Sequence, residues 1–230
     1  MTIDYDANRV LIDGWLQVSF ENKAVALELA SRARKCTTLS PRQRQLLPEI
    51  VDHSLSALEL LSAGWTRRQA LWTGAGARSL YEASVIAAYV VGSETSAERF
   101  YQDGLIDIRD IIESLDAQSS LLGEVAEFKA LVGVLRTELS ELMAVNQIPP
   151  KARHLTISEI AEAVGAKPEH KLVYQFLSKF SHSSSVTILT RNGETWLSMV
   201  LPLLAMIGLK EYMLMLAKIA DGLSPARSGS

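Results

Sequence analysis

The sequence predicts an all-α fold: a multi-helix bundle of seven or eight helices, with a protruding antiparallel helical hairpin at about 96–143. Near 186–197 it allows either a small β-hairpin or an irregular loop. Two observations carry the fold class. From Ala70 onward, the stretch Thr66–Gly92 is apolar or small on every side except at Arg78 and Glu82, and a helix that is hydrophobic all round is a buried one. Residues 96–115 place Tyr101, Leu105, Ile108, Ile112 and Leu115 at alternating steps of four and three. Residues 121–143 repeat that rhythm through Leu121, Val125, Phe128, Val132, Leu135, Leu139 and Leu142, so both segments carry a heptad-type seam. The short linker 116–120 makes them antiparallel neighbours.

The other elements follow in chain order. Residues 6–35 form a first amphipathic helix through Leu11, Trp15, Val18, Val25 and Leu29, ending in the basic run Arg32, Arg34 and Lys35, which suits a helix C-terminus. Ser40-Pro41 is a helix start, with Ser as N-cap and Pro at the first helical position. That second helix is expected to run to about Ala63 with a kink or late start at Pro48, to end at Gly64, and to hand over to a central helix capped by Thr66. Gly74 and Gly76 inside the central helix each cost about 1 kcal/mol relative to Ala. Either a closely packed neighbour or a later helix start near Ala77 explains them. Asn146–His154 is the clearest break in the chain. Thr156-Ile-Ser-Glu159 is a capping box opening a short helix that Gly165 closes, and Lys167-Pro168 starts another that reaches about Phe180. A last helix spans about 196–220, with Pro202 bending or restarting it. Residues 1–222 are read as a single helical domain and 223–230 as a disordered tail.

Composition bounds the function. Of 230 residues, 48% are hydrophobic and 21% charged, an ordinary globular balance, and the net charge of −3 argues against a broad basic surface for nucleic acid. The single Cys36 excludes an intramolecular disulfide and fits a reducing compartment. The opening MTIDYDANRV carries acids where a secretory signal has a basic region. The uncharged run Trp196–Leu209 falls short of the ~20 residues that span a bilayer. The expectation is a cytoplasmic protein that does not enter a membrane. His53, His154, His170 and His182 have no Glu-x-x-His or Cys-His context, so no metal and no cofactor is expected, and no phosphate-loop, nucleophile-elbow or dinucleotide motif occurs.

Two polar groups remain. Glu82 lies one turn after Arg78 and shares its face. Tyr174, Ser178, Ser181 and His182 follow one another at steps of four and three and fall on one helical stripe. That stripe either faces water or meets Arg78 and Glu82 across a helix interface. A helix–turn–helix reading of 156–176 competes for the same stretch, with Glu169, His170, Lys171, Gln175 and Lys179 on its second helix.

ARSLYEASVIAAY (77–89) together with HKLVYQFLSKFSHSS (170–184) resembles a widespread family of helical bacterial proteins known only as a domain of unknown function. That family pairs an Arg-Ser-Leu-x-Glu helix with a downstream Tyr-x-x-x-Ser-x-x-x-His segment. The resemblance covers roughly 40–220 and implies that Arg78, Glu82, Tyr174, Ser178 and His182 converge. A more distant likeness is to the HEPN superfamily of helical ribonucleases and nucleotide-binding domains of toxin and phage-defence systems. This chain departs from their Arg-x4–6-His motif, because only Lys179 precedes His182 closely.

The expected functions are therefore three. In the first, Arg78 clamps a nucleotide or RNA phosphate and His182 acts as general acid or base in metal-independent RNA cleavage, with Glu82, Tyr174 and Ser178 lining the pocket. In the second, the same residues are a buried structural network in a non-catalytic protein that binds a partner, or a second copy of itself, through 96–143. The third is DNA binding through 156–180. Nothing in the residues settles whether the chain is an enzyme.

Overall fold

The computed structural model describes residues 5–118, 126–149, 152–181 and 194–224. Among the described residues all regular structure is helical, without strands, as the periodicity predicts. In chain order the helices are α1 (Tyr5–Glu21), α2 (Lys23–Lys35), α3 (Pro41–Thr66), α4 (Ala70–Gly92), α5 (Glu94–Gln118), α6 (Ala126–Val145), α7 (Ile157–Ala163), α8 (Lys167–Phe180) and α9 (Glu194–Gly222). The Asn22 N–H donates to the Val18 carbonyl and the Ala26 N–H to the Asn22 carbonyl. The backbone ladder thus crosses Asn22, and α1 and α2 together are the first helix expected at 6–35.

The chain divides into two compact units, Met1–Glu94 with Ile157–Ser230, and Thr95–Thr156. In the first unit α4 is the hub, packed against α3, α9, α8 and α7. Its Leu80, Tyr81, Ala83, Ala87 and Val90 are all buried. Both helical glycines sit where neighbours come close. A Cβ on Gly76 would lie 2.6 Å from the Leu61 amide nitrogen and 2.8 Å from the Ala57 carbonyl oxygen of α3. One on Gly74 would lie 2.6 Å from Phe180 Cβ of α8. The helix starts before them, at Ala70, so of the two explanations offered by the sequence it is close packing that holds.

The α3–α4 connection differs from expectation. Gly64 does not end α3 and Thr66 does not cap α4; α3 continues through Thr66. Gly64 is instead a packing residue, pressed against Thr73 and Trp72 of α4. The chain reverses through Arg68, whose φ of 54° lies in the left-handed region, and Gln69 takes the N-cap position of α4. At the far ends of these helices, Ser40 and Gln43 form the expected cap, with Gln43 N–H to Ser40 Oγ at 3.3 Å and Ser40 N–H to Gln43 Oε1 at 2.9 Å. Gln43 also donates through Nε2 to the Val90 and Val91 carbonyls at 2.9 and 3.2 Å. One buried amide thus satisfies orphan groups at the start of α3 and the end of α4.

Neither Pro48 nor Pro202 breaks its helix. Among the described residues α9 is the helix long and apolar enough to cross a membrane, but 61% of its most apolar window is buried. Leu201, Leu204, Ala205, Leu209, Met215 and Ile219 supply that burial, the pattern of a core helix. α9 already includes Thr195–Leu197, so that segment is not the second strand of a hairpin. Residues 182–193, with the expected first strand, lie outside the described residues, as do 225–230 of the expected tail.

The second unit is the expected helical hairpin. Leu105, Ile106 and Ile112 of α5 pack with Val132 and Leu139 of α6 and with Ile148. Asp116 near the end of α5 pairs with Arg136 in α6 at 2.7 Å. Asp103 near its start accepts the Leu155 N–H, beyond α6, at 2.6 Å. The two anchors run in opposite order along the segments, so the helices are antiparallel.

Gly76→Ala tests the close packing. Propensity alone would favour the change by about 1 kcal/mol, whereas a Cβ forced against α3 backbone costs about 1–3 kcal/mol. The expected outcome is a net fall in melting temperature of a few degrees; a raised value would contradict the packing.

Candidate functional site

Arg78 and Glu82 meet on α4 as their spacing predicts, with Arg78 Nε donating to Glu82 Oε1 at 2.8 Å. From α8, Tyr174 Oη accepts from Arg78 Nη2 at 2.6 Å, and its ring lies under the guanidinium with the centroid 4.8 Å from Cζ. Arg78 Nη1 donates to Ser181 Oγ at 3.1 Å. The stripe on α8 therefore does face the Arg78–Glu82 pair. The Arg78 and Glu82 side chains are 21% and 30% exposed, so the cluster sits at the edge of the core, neither dry nor open.

The membership of the cluster is partly different from that expected. Ser178 does not join it; its hydroxyl turns back to the Gln175 carbonyl of its own helix at 2.9 Å, and Ser181, the C-cap of α8, takes its place. His182, the residue after Ser181, lies outside the described residues.

The histidine inside the cluster is His170, whose role the sequence did not suggest. It is 7% exposed and lies between two tyrosines, with ring centroids 4.7 Å from Tyr174 and 5.9 Å from Tyr81. His170 Nδ1 is 3.1 Å from Tyr81 Oη. Burial, reinforced by the carboxylates of Glu211, Glu169 and Glu82, holds the Tyr81 proton on. With both groups neutral, Tyr81 O–H donates to Nδ1 when the imidazole proton is on Nε2 and accepts from Nδ1–H in the other tautomer. Burial also pushes the His170 pKa below its ordinary value, with the Glu82 charge working the other way. The one signal available in the sequence was spacing: His170 precedes Tyr174 by four residues and shares its stripe.

Two ties from α9 border this cluster. Lys210 Nζ reaches Glu169 Oε1 at 2.8 Å and Glu211 Oε1 at 3.4 Å. Lys218 Nζ donates to Ser84 Oγ at 3.0 Å and to the Ser84 carbonyl at 3.3 Å, and burial lowers its pKa. Ser84 is fully buried, so this pairing is a strut between α9 and α4 and no nucleophile for a substrate.

The second unit has its own polar cluster around His154. Nε2 lies 2.8 Å from Asp110 Oδ2, and Nδ1 lies 3.2 Å from Asp107 Oδ1 and 3.6 Å from Asp103 Oδ1. Both ring nitrogens can face carboxylates as donors only in the imidazolium form. The Asp110 hydrogen bond accordingly raises the His154 pKa, and His154, followed by Arg109, lowers that of Asp110. Among the described residues no group of three or more side chains is arranged to hold a metal ion.

A family model described as a family of unknown function, DUF5677, matches residues 46–195, a span that contains both motif segments. No curated protein and no solved structure matches the chain.

The two histidines titrate with opposite consequences. His170, depressed in the fold, binds fewer protons when native than when unfolded. Its stabilisation is fully present above the ordinary value of 6.5 and is lost as pH falls through the lower folded value. His154, raised in the fold, contributes fully below 6.5 and loses that contribution as pH rises through its higher folded value. An NMR titration of the ring protons should place the His170 midpoint below 6.5 and the His154 midpoint above it. Midpoints in the reverse order would refute both environments.

Proposed function

We propose that this chain, which belongs to the DUF5677 family, is a non-catalytic interaction protein whose Arg78 cluster is a structural clamp holding α8 on α4. The observation that supports this is the occupancy of the guanidinium. Its three nitrogens donate to Glu82, Tyr174 and Ser181, and a tyrosine ring covers one face. Glu82 cancels the charge that would attract an anion. Ser181 caps the C-terminal end of α8, where the helix dipole opposes an anion by ~0.3–1 kcal/mol. Arg78, the residue expected to clamp a phosphate, is satisfied by Glu82, Tyr174 and Ser181.

A second reading is kept alive by the partial exposure of Arg78 and Glu82 and by the position of His182 directly after Ser181. A phosphate oxygen is a stronger acceptor than a serine hydroxyl, and displacing Ser181 would give Arg78 a nucleotide or RNA ligand. Cleavage in the HEPN manner would then fall to His182. DNA binding through 156–180 has less support, because His170, Tyr174, Leu177 and Phe180 of its second helix are turned toward α4.

Thermal unfolding separates the readings. A fully buried pair that loses one partner costs about 3–5 kcal/mol. With the exposure observed here, Arg78→Ala should cost about 2–3 kcal/mol, a fall of roughly 5–10 °C for a chain of this size. Inorganic phosphate, adenosine monophosphate and a single-stranded RNA should leave the wild-type midpoint unchanged. A ligand-dependent rise in the wild type that disappears in Arg78→Ala, or cleavage of the RNA by the wild type alone, would establish the phosphate reading instead.

A further inference from the structure

The helical hairpin of the second unit buries one seam and displays another. On α6, Val132 and Leu139 are buried, while Leu131, Leu135, Leu142 and Val145 are exposed, Val145 at 79%. With Glu138 between them, these exposed positions step by four and three over Leu131–Val145, about 21 Å of helix at 1.5 Å per residue. On α5, Leu105 and Ile112 are buried while Ile108 and Ile111 are exposed, Ile111 at 58%. Each displayed row runs one residue ahead of its buried row: Ile111 before Ile112, Leu131 before Val132, Glu138 before Leu139. One residue is a rotation of about 100°, in the same sense on both helices. For two antiparallel helices facing each other, equal rotations bring both rows to the same side. The hairpin therefore gathers these exposed apolar residues on one side, broken on α6 by Glu138, instead of scattering them singly.

Charge indicates what covers it. Residues 95–156 contain ten Asp and Glu against six Lys and Arg, a net of −4 in a chain of −3, so the rest carries +1. Arg136 and Arg109 are held by Asp116 and Asp110. Exposed Glu138 and Glu141 on α6 remain beside the apolar rows, while Asp107 on α5 faces His154. Two copies meeting through this face would bring like charges together, which disfavours self-association. An amphipathic helix laid on the face by its own apolar stripe, with Lys or Arg on its flanks, meets both the shape and the sign.

We infer that the exposed face of α5 and α6 docks a basic amphipathic helix of another protein. This rests on the reading of the chain as an interaction protein and names its partner class. The test uses the full chain and two synthetic amphipathic peptides with the same leucine stripe, one flanked by lysines and one by glutamates, followed by fluorescence anisotropy. The lysine peptide should bind saturably, and the glutamate peptide at least about tenfold more weakly. The double variant Leu135→Gln with Leu142→Gln should lose about tenfold in affinity for the lysine peptide. Leu135 and Leu142 are 39% and 46% exposed, so the variant's melting temperature should fall by only a few degrees, and the comparison is made where both forms are folded. Equal binding of both peptides, binding unaffected by the double variant, or no binding of either would overturn the proposal. So would a concentration-dependent dimer abolished by the double variant, which would make a second copy the occupant. None of these outcomes depends on Arg78, whose thermal test can fail or succeed separately.

Discussion

The first unit depends on one constraint: α4 is enclosed by α3, α7, α8 and α9 yet carries an arginine and a glutamate. Enclosure demands close approach, and the small residues provide it. Gly76 admits α3, Gly74 admits α8, and Gly208 of α9 admits Leu61 and Ala77. It also demands that no charge be left alone in a low-dielectric setting, where an unpaired ion costs several kcal/mol. Glu82 meets that demand within the helix, and Tyr174 and Ser181 complete it from α8. The polar cluster and the glycines are thus two answers to the same crowding.

What was legible in the sequence divides from what was not along the line between local and distant contacts. The burial of α4 could be read from a composition with no polar face, and the Arg78–Glu82 bond from i,i+4 spacing. Both are local properties of a helix. The heptad rhythm of α5 and α6 was legible for the same reason, as was the Ser40-Pro41 start. The α3–α4 turn was not, because its reversal depends on Arg68 adopting a positive φ, a conformation for which arginine is no signal. Ser178 and Ser181 could not be ranked from their stripe. Ser178 donates to the Gln175 carbonyl of its own helix at 2.9 Å, whereas Ser181, at the helix end, reaches the Ser178 carbonyl only at 3.5 Å and accepts from Arg78. His170 and Tyr81 find each other across 89 positions, and no local pattern encodes such a meeting.

Unit 2 illustrates a different limit. Its three histidine-facing aspartates, Asp103, Asp107 and Asp110, step by four and three along α5, an acidic row that periodicity alone assigns to solvent. The loop after α6 changes that by bringing His154 across the row and the Leu155 N–H onto Asp103. Burial raises the Asp103 pKa while that N–H works against it, so the loop is tied down by charges whose partner arrives about fifty residues later.

The place where the second unit enters the chain has a consequence of its own. It leaves from Glu94, just past the end of α4, and returns at Ile157 into α7, which packs on α4. Both connections therefore lead back to the same hub helix, and the hairpin is an insertion within a bundle whose remaining contacts are made without it. Chain-closure entropy rises only by ~0.6 kcal/mol for each doubling of loop length. Such an arm can lengthen, shorten or change its surface over evolutionary time at little cost to the fold that carries it.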